Sequence, residues 1–175
     1  MQCFNKKFAN LPSRREIARS FIPSLYKDTI QRIICDINQH PVYLILDEKL
    51  DAAMRNFLNI LIGKFDENPS KPALISAQFL EKTDSGNVSR AVVKCLQETQ
   101  IEFNNLWLVV TDQAPYMIKC FRMLQTLYLN LHHDTCLAHA LHRVCEQIRS
   151  DHPLVDEFLG QMKVIFSRSN ERITL

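Results

Sequence analysis

The sequence predicts an α/β fold on a mixed sheet, in which three antiparallel strands are followed by crossover helices and strands. Two observations predict it. Runs such as Val42-Tyr43-Leu44-Ile45-Leu46 and Leu106-Trp107-Leu108-Val109-Val110 are short, apolar and rich in strand-forming residues. The gap from 62 to 73 that follows the second run is short for a crossover helix, whereas the later runs are separated by segments with helical spacing.

The elements follow in order. Ser13 to Gln39 reads as helix, which Pro23 is expected to break into a short basic piece and a longer one carrying Ile30, Ile33, Ile34 and Ile37. Pro41 closes it. The first strand runs from Val42 and ends on Asp47, and a polar turn containing Asp51 leads to a second strand at 54–62. The third, 73–81, lies between Pro69 and Pro72 on one side and Asp84-Ser85-Gly86-Asn87 on the other. Ser85 or Asn87 is expected to cap a helix at 88–99 with Val88, Val92, Cys95, Leu96 and Thr99 on one face. Strand 106–112 ends on Asp112. A helix from Pro115 to Leu127, a weaker strand at 129–135, a helix at 137–150 and another after Pro153 complete the pattern. This is the element order of a ribonuclease H-like fold, with an N-terminal helical segment before it and a helical region after it.

Composition narrows the function classes. The chain has 175 residues, 46% apolar and 23% charged, which suits one globular domain with a core. Gly63, Gly86 and Gly160 are its three glycines, too far apart to form a phosphate-cradling loop, a dinucleotide fingerprint or a nucleophile elbow. The net charge is +2, but residues 1–40 carry Lys6, Lys7, Arg14, Arg15, Arg19, Lys27 and Arg32 against Glu16, Asp28 and Asp36. That arm is suited either to lie near phosphates or to form a solvated face. Six cysteines without C-x-x-C pairing indicate reduced thiols, and the start of the chain lacks the apolar core of a signal peptide, so an intracellular protein without a transmembrane segment is expected. Phe57, Phe79, Phe103 and Trp107 read as core aromatics.

Two groups of residues point to chemistry. Asp47 and Asp112 each follow a buried strand, at the carboxyl end where open sheets place their crevices. On neighbouring parallel strands they converge, and two such carboxylates call for a proton or a hard divalent cation, Mg²⁺ or Mn²⁺. Each Asp alone also fits an ordinary turn. The second group is Cys136-Leu-Ala-His139-Ala-Leu-His142-Arg-Val-Cys145, whose spacing resembles a zinc motif, although one helix cannot wrap a tetrahedron from all four. Leu137, Leu141, Val144 and Ile148 form its apolar stripe. His139 lies nearly opposite, facing solvent or something outside the chain, while His142 and Cys145 flank the stripe as packing residues.

With these residues in place the chain resembles the catalytic core of hAT (hobo and Activator) transposases, in the lineage related to the CGG-triplet-repeat-binding proteins. The stretches that carry the resemblance are LPSRREIARSFIPSLYKDTIQRI (11–33), VYLILDEKLD (42–51), LWLVVTDQAPYMIKCF (106–121) and HHDTCLAHALHRVCEQIR (132–149). The resemblance implies a nuclear protein that acts on DNA, with Asp47 and Asp112 as catalytic, metal-binding carboxylates and Cys136 and His139 beside the active site. It also implies a third acid, a Glu beyond a large helical insertion. Glu146, Glu157 and Glu171 match no family position. Lys49 stands where a small hydroxyl residue is more usual, close enough to neutralise Asp47. The division expected is a basic helical arm at 1–40, a ribonuclease H-like core at 41–151 and the start of a truncated insertion at 152–175.

The function expected is therefore a truncated or domesticated hAT-type core that keeps two of three carboxylates and is inactive alone. The alternative is a non-catalytic module that binds DNA or protein, including a second copy or a related transposase, through the basic arm and the His139 face. A weaker alternative is a phosphatase-like enzyme with Asp47 as nucleophile and Asp51 nearby, although the spacing departs from the usual D-x-D.

Overall fold

The computed structural model describes residues 12–67 and 70–167. Lys6, Lys7, Cys3, Pro69 and Glu171 lie outside them. The chain opens with a helical rod: α1 (Arg14–Glu16), a π-helical turn (Ile17–Phe21) and α2 (Ile22–Ile37). It continues through β1 (Val42–Leu50), β2 (Asn56–Lys64), β3 (Ala73–Leu80), α3 (Ser85–Glu98), β4 (Leu106–Thr111), α4 (Pro115–Gln125), β5 (His132–Thr135), α5 (Leu137–Asp151) and α6 (Pro153–Ser167).

The five strands form one sheet in the order β3-β2-β1-β4-β5. The first three are antiparallel neighbours, and β4 and β5 run parallel to β1. Antiparallel meander first, parallel crossovers after, is the ribonuclease H-like arrangement. Strand alternation builds the core: Val42, Leu44 and Leu46 of β1 and Leu58, Ile60 and Ile62 of β2 are buried on one face. Against them pack Val88, Val92, Cys95 and Leu96 of α3 and Met117, Cys120 and Leu124 of α4. Each fully buried aliphatic contributes roughly 1.5–3 kcal/mol. Ile37 joins the cluster, with Ile30 and Ile33 packed against it.

Several expectations need correction. Pro23 does not break the helix, because the wider π turn ahead of it passes into α2 with the proline in the first turn, where a missing N–H costs least. β1 does not end on Asp47. It runs on to Leu50 because β2 pairs with it as far as Leu50–Asn56. The second strand starts at Asn56, since Met54 takes a left-handed conformation (φ 60°) in the turn. Asp84, through its side chain on the Asn87 N–H, caps α3 in place of Ser85 or Asn87. β5 starts at His132, because Tyr128 and Leu131 are held in a turn.

The aromatics are not all core. Trp107 and Phe79 are exposed, and Arg55 lies 4.2 Å over the Phe79 ring, a basic neighbour that the sequence reading did not place there. On α5, His142 is exposed and pairs with Glu146 at 3.3 Å, and Cys145 is exposed too, so neither is a packing residue. Leu137, Leu141, Val144 and Ile148 are each more than half exposed. α5 buries no residue; it is tied to α6 by Arg149 and Asp156.

Candidate active site

The parallel pairing of β1 with β4 sets the site. Its last registered pair is Ile45 with Val110, and two residues further on the strands reach Asp47 and Asp112. Carried on past its last printed pair, that register sets Asp47, three residues before the end of β1, toward Asp112, the first residue after β4. Asp47 still belongs to β1, opposite Asn59 of β2, whereas Asp112 begins the loop after β4.

That loop is built by its own residues. Asp112 Oδ1 accepts the Ala114 N–H at 3.1 Å, so Asp112 also performs the turn role open to it on sequence grounds. Pro115 then starts α4, where its fixed φ suits the first helical turn. Behind the loop, the Thr111 hydroxyl donates to the Asp112 carbonyl at 2.6 Å. Its proton being used there, the 2.9 Å contact with His133 requires His133 to donate from Nε2. The His133 ring stacks on Phe121, and burial lowers its pKa against a smaller opposing effect of Asp134.

Each carboxylate has neighbours. Lys49, two residues along the same face of β1, brings Nζ to 3.1 Å from Asp47 Oδ2. Glu48 faces the helices, where it accepts the Thr83 hydroxyl and the Tyr116 hydroxyl, the latter at 2.8 Å. Burial first, then the hydrogen bond and charge of Glu48 and the charge of Asp112, hold the Tyr116 phenol well above its usual range. Tyr116 therefore stays protonated and donates to Glu48.

A groove of about 320 Å³ opens beside Asp112, lined among others by Gln113, Thr135, His139 and Arg143. The Arg143 guanidinium donates to Gln113 Oε1 and so ties α5 to the loop that carries Asp112. His139 is exposed, as the solvent-facing reading expects, and lines this groove. Cys136 and Asp47 are not among the groove's lining residues. Cys136 occupies the N-cap of α5, half-buried, with its N–H on the Thr111 carbonyl at 2.8 Å.

The other sequence candidates are accounted for elsewhere. Asp51 accepts the Ala53 and Arg55 N–H groups and the Arg55 side chain, and the Arg55 interactions lower its pKa. That is the work of a turn residue, which removes the support for the phosphatase-like alternative. Cys95 and Cys120 are buried thiols, Cys95 pushed up to about 11 by burial, and they act as small apolar side chains. Glu146 is engaged by His142, and Glu157 receives the Gln161 amide. Among the described residues, no group of three or more His, Cys, Asp or Glu is placed to hold a metal ion. None of their helices is long and apolar enough to cross a membrane.

Sequence reasoning missed Glu48, Tyr116, Thr111–His133 and Gln113–Arg143. Glu48 was accessible in principle, because the residue next to Asp47 on a strand must face the opposite side. The others depend on contacts between elements.

No protein-family model matches the chain, and no curated protein matches it. Among solved structures, the chain is similar to one in a simian T-cell lymphotropic virus intasome in complex with PP2A regulatory subunit B56 gamma, at 12% identity and TM-score 0.39, over 65% of this chain and 42% of that one. It is similar to a Bacteroides thetaiotaomicron protein with an actin-like ATPase fold at 8% identity and TM-score 0.39, over 65% and 44%. It is also similar to the catalytic domain of Mos1 mariner transposase at 12% identity and TM-score 0.35, over 87% and 83%. The chain spans less than half the length of the first two. These likenesses are distant, and the ribonuclease H-like assignment stands on the strand order and the helix placement.

Proposed function

We propose that this chain is a domesticated ribonuclease H-like core of the hAT transposase type that binds DNA in the nucleus and retains Asp47 and Asp112 as metal-binding carboxylates. The observation that supports the reading is the parallel register of β1 and β4, which pairs Ile45 with Val110 two residues before Asp47 and Asp112. Two carboxylates present the hard oxygens that Mg²⁺ and Mn²⁺ take, and such ions keep several waters when one or two carboxylates hold them. The residues present therefore fit the ion, and the chemistry it supplies when bound is activation of water or a 3′-hydroxyl toward a DNA phosphodiester. Of the chain's own groups, Thr111 and Ala114 hold the Asp112 loop in place, and Glu48 and Tyr116 anchor α4 behind it. In this reading Cys136 and His139 stand beside the site; His139 lines the groove next to Asp112, whereas Cys136 does not. Two carboxylates supply few protein ligands, so the reading carries weak metal binding by this pair.

The test is a calorimetric Mn²⁺ titration of the chain beside Asp47→Asn and Asp112→Asn. Weak saturable binding that disappears in both variants is the expected result. Binding unaffected by either substitution overturns the assignment.

A second reading, a non-catalytic module that binds protein or a second copy of itself, is favoured by the apolar stripe of α5 and by Phe158 and Leu159 of α6, all exposed. Size-exclusion chromatography at several concentrations separates the two. A concentration-dependent shift abolished by Leu141→Glu supports association through α5, and a monomer at every concentration removes the self-association arm.

A further inference from the structure

We infer that Lys49 is a resident counter-ion of the Asp47 carboxylate, which competes with a divalent cation and so tunes the metal affinity of the site. This inference rests on the two-carboxylate reading above. Asp47 and Lys49 stand two residues apart on one face of β1, and their charged atoms approach to 3.1 Å. Across β2 their partners are Asn59 and Phe57, neither of which carries a charge, so along this strand pair each charged group finds its complement in the other. The Asp47 side chain is a quarter exposed and the Lys49 side chain two-thirds exposed, so the ammonium can move out to solvent without disturbing the core. A cation arriving at Asp47 must displace that ammonium or share the carboxylate with it. Exposed pairs of this kind are weak, so the competition shifts metal affinity modestly without closing the site.

The experiment is a calorimetric Mn²⁺ titration of the full chain, with Mn²⁺ alone as the probe, comparing wild type with Lys49→Met, Lys49→Arg, and Lys49→Met combined with Asp47→Asn. Lys49→Met keeps the length of the stem and removes the charge. It is expected to tighten Mn²⁺ binding by about two- to fivefold, the range set by an exposed ion pair. Lys49→Arg is expected to bind as wild type does, and the tightening is expected to vanish in the Asp47→Asn background. If wild type binds Mn²⁺ and Lys49→Met binds it equally or more weakly, the counter-ion inference is overturned while the two-carboxylate site stands. The same holds if Lys49→Met tightens binding without Asp47, since the effect is then one of general charge. If neither wild type nor Lys49→Met binds, the two-carboxylate site fails and the inference fails with it. Circular dichroism of each variant confirms that the fold is retained.

Discussion

The Tyr116 hydroxyl donates a 2.8 Å hydrogen bond to Glu48 Oε2, joining the first turn of α4 to the strand that carries Asp47. Glu48 also accepts the Thr83 hydroxyl ahead of α3, so one carboxylate gathers two helix starts onto the carboxyl end of β1. Removing the phenol leaves a half-buried carboxylate oxygen short of a donor. Tyr116→Phe is therefore expected to cost about 1–2 kcal/mol, read by urea denaturation, with Thr83→Ala costing about 1 kcal/mol. In wild type, ultraviolet titration should show this phenol un-ionised where exposed tyrosines titrate, because burial and the neighbouring carboxylates oppose its ionisation. Tyr116→Phe as stable as wild type would show that the bond contributes nothing.

Acid should weaken the fold through His133. Its folded pKa lies below the ordinary value of 6.5, with burial as the main cause. Below that value the unfolded chain binds the proton more readily than the folded one, so stability is lost as pH falls from 6.5 toward the folded pKa. Protonation also changes the ring that donates to Thr111, beside Asp112. Thermal unfolding from pH 7.5 to 5.0 is expected to show a falling Tm, with a shallower fall in His133→Phe. An identical slope in the two proteins would remove His133 as the cause.

Gln100 ends α3 in a left-handed conformation, φ 55°, which glycine adopts more easily. The motif around it is complete: Gln100 N–H reaches the Gln97 carbonyl and Ile101 N–H the Leu96 carbonyl. Gln100→Gly keeps both bonds and relieves the strain of a side chain at positive φ. It is expected to stabilise the protein by about 0.5–1 kcal/mol, measured by chemical denaturation.

Gly63 faces Tyr43 across the β1–β2 pair, and a methyl group there would lie 2.2 Å from the ring carbon that bears the hydroxyl. The ring must swing away if Gly63 gains a side chain, breaking its 5.3 Å packing with Phe65. Gly63→Ala is expected to cost about 1–3 kcal/mol. In a Tyr43→Ala background the same substitution should be close to neutral, a coupling that a double-mutant cycle measures.

How far the sequence carries this protein is clearest at particular residues. Val42, Leu44 and Leu46, and the Val88–Val92–Leu96 face of α3, were legible because strand and helix periods are local properties of the backbone. The order of elements likewise implied a meander followed by crossovers, and Asp47 and Asp112 were marked by sharp changes from apolar to acidic. Whether those two residues stand level is not local. It depends on β4 pairing with β1, a contact between segments more than fifty residues apart in the chain.

The apolar stripe of α5 illustrates the converse limit. Its spacing identifies an amphipathic helix but not what covers it, and the fold leaves Leu137, Leu141, Val144 and Ile148 exposed. On the opposite face His139 is exposed, as expected of a solvent-facing residue, and lines the groove beside Asp112, while Arg143 reaches Gln113. Sequence by itself determined the elements and the residues able to carry charge at the strand ends, because those follow from short-range sterics and hydrophobic periodicity. Lys49 beside Asp47 was legible too, since residues two apart on a strand share a face; only the tertiary structure decided which polar groups meet between elements, Tyr116 with Glu48 and His133 with Thr111, because hydrogen bonds act over a few ångströms and depend on side-chain placement.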